Sequence, residues 1–70
     1  MTESVYKIIE LVGTSETSWE EAVKGIVEQA SRSLRDIRIV RVIELDAKVD
    51  DSKVILYRAR VKLSFKYETE

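Results

Sequence analysis

Any chemistry in this 70-residue chain has to be built from carboxylates, cations and hydroxyls, because histidine and cysteine are both absent. Without imidazole there is no ordinary general base near neutral pH and no nitrogen ligand for a transition metal. Without thiolate there is no disulfide and no sulfur-rich metal site. Ser15, Ser18 and Ser64 therefore have nothing to activate them, and no catalytic constellation is present. An enzyme is not expected. Two groupings remain. Arg58, Arg60 and Lys62 alternate with apolar residues, which puts three cations on one face of a strand. Such a row can hold an anion, such as a phosphate-bearing ligand; it can equally be a solvated face whose cations pair with carboxylates. Asp50 and Asp51 offer oxygens to a hard cation such as calcium, which takes about 6–8 of them. The same pair suits an ordinary turn, and it lacks the Asp-x-Asp-x-Asp-Gly spacing of a dedicated calcium loop.

The basic row and the acidic pair must be positioned by a long hairpin. Residues 37–67 read as two antiparallel arms around a turn at residues 49–53. Each arm of roughly 13–15 residues extends about 45 Å. In the second arm Ile55, Tyr57, Ala59, Val61, Leu63, Phe65 and Tyr67 alternate with Leu56, Arg58, Arg60, Lys62, Ser64 and Lys66. The first set should meet a helix and the second should not. In the first arm Val40 and Val42 share one face, with Ile39, Ile43 and Leu45 on the other. An earlier strand over residues 4–12 is apolar on both faces, and Gly13-Thr14-Ser15 reads as its break.

One helix is predicted over residues 19–34. Ser18 with Glu21 forms a capping box, Glu20 and Glu21 complement the positive end of the dipole, and Arg32 and Arg35 the negative end. Trp19, Ala22, Val23, Ile26, Ala30 and Leu34 form its apolar stripe. At about 25 Å this helix is much shorter than the hairpin. The expected fold class is α+β: β-α-β-β, a three-stranded antiparallel sheet partly wrapping one helix, as a single domain over residues 1–70. Periodicity does not choose on which side of the hairpin the first strand sits. A core this small rarely supplies more than about 3–5 kcal/mol, so self-association is the expected staple.

Twelve basic against thirteen acidic residues give a net charge of −1, which offers no footprint for nucleic acid. No apolar run approaches the roughly 18 residues of a membrane span, and the N-terminus lacks a signal-peptide pattern. A cytoplasmic location is the default expectation.

Taken together, Val12-Gly13-Thr14-Ser15, Ser18-Trp19-Glu20, Asp36-Ile37-Arg38 and the strand from Tyr57-Arg58 through Val61-Lys62-Leu63-Ser64-Phe65 resemble the dodecin family over nearly the whole chain. The resemblance implies β-α-β-β protomers, twelve of which form a hollow shell, and in many members the binding of flavins. Positions matching the family flavin site are Arg38, Ile39, Arg41, Leu45 and Arg58. Ile39 stands where flavin-binding members have a stacking tryptophan, and Arg58 where they have a glutamine. Isoleucine has no π-face, and arginine has donors but no acceptor for the ring edge. Flavin binding is therefore expected to be weak or absent, and Trp19, in another element, cannot substitute. Calcium binding is associated with some dodecins that lack the tryptophan. The candidates for it are Asp50 and Asp51, with Glu44 and Asp46 nearby. The expected function is a non-enzymatic small-ligand binding or storage shell. The alternatives are a calcium-binding variant and a purely structural assembly.

Overall fold

Alternation along the last strand organises the fold. The computed structural model describes residues 4–67 and runs β1 (Tyr6–Ser15), α1 (Trp19–Ala30), β2 (Ile37–Asp50) and β3 (Lys53–Lys66). The strands form one antiparallel sheet in the order β1-β3-β2, so β3 is central and β1 lies on its far side from β2. Ala59, Val61 and Leu63 of β3 are completely buried beneath Ala22, Ile26 and Ala30 of α1. Ile9, Leu11, Val40, Leu34 and Ile37 pack around this small core. Arg58, Arg60 and Lys62 project from the opposite face, as the period of two requires.

The helix begins where its cap predicts. Ser18 Oγ accepts from the Glu21 amide at 3.0 Å, and Glu20 and Glu21 occupy the first turn. Its end differs from the expected residue 34. Regular structure stops at Ala30, and the last turn holds no basic residue, so Arg32 and Arg35 lie beyond it. The chain tightens there: Arg32 donates to the Gln29 carbonyl and Ser33 to that of Ala30, the three-residue pattern of a fraying end. Ser31, Arg32 and Ser33 have no apolar anchor, and the turn through them returns Leu34 to the core.

The first strand also differs from expectation, since it continues through Gly13 and Thr14 to Ser15. Gly13 permits a close approach instead of breaking the strand. A Cβ at this position would overlap Ile26 Cγ1 and lie 2.6 Å from Ile26 Cδ1 and 3.0 Å from the Ala22 carbonyl oxygen. The absent side chain lets the helix seat on β1.

At the hairpin tip Asp50 pairs with Lys53, and Asp51 and Ser52 both adopt left-handed backbone angles (φ 52° and 63°). Two such residues form a type I′ turn, whose twist matches that of the strands. The β2–β3 ladder is irregular at three points, with an extra residue on β2 at Ile37/Ile39 and at Val42/Glu44, and one on β3, Ile55, opposite Lys48/Val49. Such bulges increase the local twist and change which face later residues occupy.

The protomer is elongated, measuring 55 × 20 × 14 Å with a radius of gyration of 14.6 Å, against about 11 Å for a compact 70-residue domain. Two glycines give a matched test of the packing. Gly13→Ala should cost about 1–3 kcal/mol by overpacking. Gly25→Ala, where nothing lies within 4 Å, should stabilise by about 1 kcal/mol through helix propensity. Urea unfolding at one fixed protomer concentration measures both.

Candidate functional site

The sheet face away from the helix is where charged side chains converge. Across it run Val12, Arg60 and Glu44, then Glu10, Lys62 and Arg41, then Ile8, Ser64 and Ile39. Arg58 meets Asp46 in a two-pronged pair, with Nε to Oδ1 at 2.7 Å and Nη2 to Oδ2 at 2.8 Å. Arg60 spans three strands, donating to Glu10 Oε2 on β1 at 2.8 Å and to Glu44 Oε1 on β2 at 2.7 Å. Arginine's planar fork suits this geometry. All five groups are substantially exposed, so the pairs set side-chain positions more than they set stability.

The electrostatics follow the contacts. Hydrogen bonds from Arg58 hold the Asp46 carboxyl below its ordinary 3.8, and the Arg58 charge adds to the effect against partial desolvation. Reciprocally, the Asp46 hydrogen bond raises Arg58, and those of Glu10 and Glu44 raise Arg60.

Of the residues matched to the family's flavin site, Ile39, Arg41 and Arg58 share this outer face. Ile39 is 60% exposed. Arg38 sits in the bulge between Ile37 and Ile39. Leu45 does not share the face with Ile39. The extra residue Ile43 at the Val42/Glu44 slip inverts the alternation, pairing Leu45 with Ala59 and turning it to the helix side. There Leu45 and Val42 line an open recess of about 360 Å³ with Trp19 and Val23.

Trp19 lies on that side too. Its indole N–H donates to the Asp46 carbonyl at 2.9 Å, and its ring meets Tyr57 edge-on, centroids 5.0 Å apart. Asp46 thus carries two connections that sequence periodicity missed: its carboxylate to Arg58 on one face and its carbonyl to Trp19 on the other. The bulge sets the Asp46–Arg58 register, and it has no signature in the alternation of residues.

The outer face of one protomer does not fit a flavin ring. Where Arg58 lies, the recess among Val12, Glu44, Asp46 and Arg60 is only about 80 Å³, against roughly 300 Å³ or more for a small-molecule pocket. No aromatic face is offered at Ile39, and the Arg58 donors are engaged by Asp46. A single protomer does not fit calcium either. Among the described residues no three carboxylates cluster as a metal site. Glu44 and Asp46 are committed to arginines, while Asp50 and Asp51 stand at the exposed tip. Among the described residues no helix is long and apolar enough to cross a membrane.

A short helix cradled by three long antiparallel strands defines a class of small β-α-β-β proteins. The chain belongs to the dodecin family, whose family model matches residues 5–68. It is 51% identical over 63 residues to the calcium dodecin of Mycobacterium tuberculosis (90% of this chain and 89% of that one). A solved structure of that protein, described as having a novel calcium-binding site, superposes with a TM-score of 0.82 at 49% identity, covering 93% of each chain. The dodecin of Thermus thermophilus is 33% identical over 64 residues, covering 91% of this chain and 93% of that one. The structure of dodecin from Streptomyces coelicolor superposes over 100% of both chains with a TM-score of 0.93 at 30% identity.

The Arg58–Asp46 pair makes a pH prediction. An unfolded chain protonates Asp46 near 3.8 and the native chain at a lower pH. The pair's contribution is therefore complete above the unfolded value and disappears as pH falls through the native one. Carbon NMR of labelled aspartate carboxyls should show Asp46 titrating below its ordinary value, and Arg58→Met should return it to that range. An unchanged Asp46 midpoint in that variant would show that the pair does not form in solution.

Proposed function

We propose that this chain is a non-enzymatic binding protein that assembles as a hollow homododecamer and whose flavin position is no longer a flavin site. The Arg58–Asp46 pair carries the reading: the side chain at the family's ring-edge position is turned onto a carboxylate of its own chain. Ile39, at the stacking position, supplies apolar area without a π-face, and the missing stacking is worth about 0.5–1.5 kcal/mol per aromatic pair. Assembly is supported by the exposed apolar residues on both sheet faces: Tyr6, Ile8, Val12 and Ile39 on one, Trp19, Val42 and Leu45 on the other. A ligand pocket in such a shell takes residues from more than one copy. Function then consists of binding and sequestration within the shell, in keeping with a protein of the cytoplasm.

A second reading is favoured by the relative at 51% identity, which is a calcium dodecin. In it, Asp50 and Asp51 at the tip of one protomer meet oxygens of a neighbour, since a hard cation needs more ligands than one tip supplies.

Two titrations separate these readings. Added riboflavin should keep its fluorescence with the native protein, while Ile39→Trp combined with Arg58→Gln should quench it with affinity about two- to tenfold higher. Tight riboflavin binding by the native chain would refute the altered-site reading. Under the calcium reading, calcium raises the melting temperature of the native protein, and Asp50→Asn with Asp51→Asn abolishes the rise. No calcium response in the native protein eliminates that reading.

A further inference from the structure

β1 is an edge strand, and one flank of its backbone is unpaired. In the sheet order β1-β3-β2 it has a single neighbour. The Val5 carbonyl accepts from the Tyr67 amide at 2.8 Å, and the ladder then runs without a slip from Tyr6/Lys66 to Ser15/Tyr57. Hydrogen-bonded and non-bonded positions alternate in an antiparallel pair. Lys7, Ile9, Leu11 and Gly13 therefore bond to β3, while Ile8, Glu10 and Val12 turn their amides and carbonyls away from it. Such a flank is a template for another strand. The opposite edge of the sheet is blunted, because β2 carries an extra residue at Ile37/Ile39 and at Val42/Glu44. β1 has neither bulge nor proline over its ten residues.

Beside this open flank lies a groove of about 380 Å³ between β1 and α1. One wall is the run Leu11-Val12-Gly13. Three consecutive residues share it, so the groove meets the backbone edge of the strand and not one of its faces. The other wall is Ile26, Gln29, Ser33 and Leu34, aliphatic side chains with an amide and a hydroxyl. A strand laid along β1 sends alternate side chains into this groove and the others over the open sheet face. The groove suits aliphatic side chains. On the open face Lys62 and Lys66 stand opposite Glu10 and Tyr6, and neither has an ion-pair partner among the described residues. They lie two strand spacings from the added strand, about 10 Å, which a lysine and a glutamate side chain span together. A second copy's β1 matches this pattern poorly. Its Lys7 falls on the aliphatic side, and its single carboxylate, Glu10, is held by Arg60 at 2.8 Å.

We infer that the β1 flank and its groove bind an extended peptide segment of another protein by strand addition, one in which aliphatic and acidic residues alternate. Main-chain hydrogen bonds to Ile8, Glu10 and Val12 supply affinity, and the groove selects the alternate side chains. This goes beyond the proposed function by naming a protein partner. All the residues it uses belong to one protomer, so it stands apart from the shell.

The test uses the purified protein, with light scattering on every sample, and a short fluorescein-labelled peptide of alternating leucine and glutamate. Without peptide, hydrogen exchange should be fast at the Ile8, Glu10 and Val12 amides and slow at Ile9 and Leu11. Added peptide should slow the first three. The same peptide with every backbone amide methylated should bind at least about tenfold more weakly, the worth of about two lost hydrogen bonds. Val12→Pro removes an outward amide and spares the β3 ladder, and Ser33→Trp fills the groove from an exposed position. Each should weaken peptide binding at least about tenfold. Should Val12→Pro fail to fold, Ser33→Trp decides alone. Equal binding of the methylated peptide overturns the inference, as does undiminished binding by Ser33→Trp. Flank amides already protected in the native assembly place another copy there, which overturns the inference and leaves the shell intact. A monomer that binds the peptide defeats the shell and leaves the inference standing.

Discussion

Everything in this fold follows from a difference in length. β2 and β3 are 14 residues each, about 46 Å when extended, while α1 has 12 residues and covers about 18 Å. The helix can bury only the middle of the sheet, and it does so with small residues, Ala22, Ala30 and Ala59, which let the layers approach closely. Beyond that short core the apolar residues continue without cover. Val49, Val54 and Ile55 toward the hairpin tip are 43–61% exposed, and Tyr67 at the other end is 49% exposed. Exposed large apolar side chains thus stand at both ends of the sheet, beyond the reach of the helix. This uncovered surface is what the proposed self-assembly would bury.

The same geometry explains where chemistry can occur. Because the helix monopolises one face of β3, the other face is free to carry Arg58, Arg60 and Lys62. Carboxylates from the flanking strands reach two of these cations and tie the three strands together. On this open face Ile39 offers an exposed aliphatic side chain, and Arg58 is already engaged by Asp46 of its own chain.

Much of this was legible in the order of residues. The alternation of β3 identified its buried and open faces, Ser18 and Glu21 marked the helix start, and the element order followed from both. Four features were not legible, each for a physical reason. Gly13 looked like a strand break because a glycine admitted for close helix packing reads the same as one admitted for a turn. The helix ended before Leu34 because Ser31, Arg32 and Ser33 do not hold it, although Leu34 keeps the apolar period. The bulge at Ile43 turned Leu45 to the helix side and set the register of Asp46 with Arg58, and a residue inserted into a ladder leaves no mark in composition. The position of β1 beside β3 was likewise open, since both hairpin edges present compatible apolar faces.

The central claim is that the protomer is completed by copies of itself. Multi-angle light scattering on the purified chain, diluted to low micromolar concentration, tests it most directly. The account predicts one species at twelve times the 8.1 kDa chain mass, persisting on dilution. A stable, folded species at the mass of a single chain would contradict it.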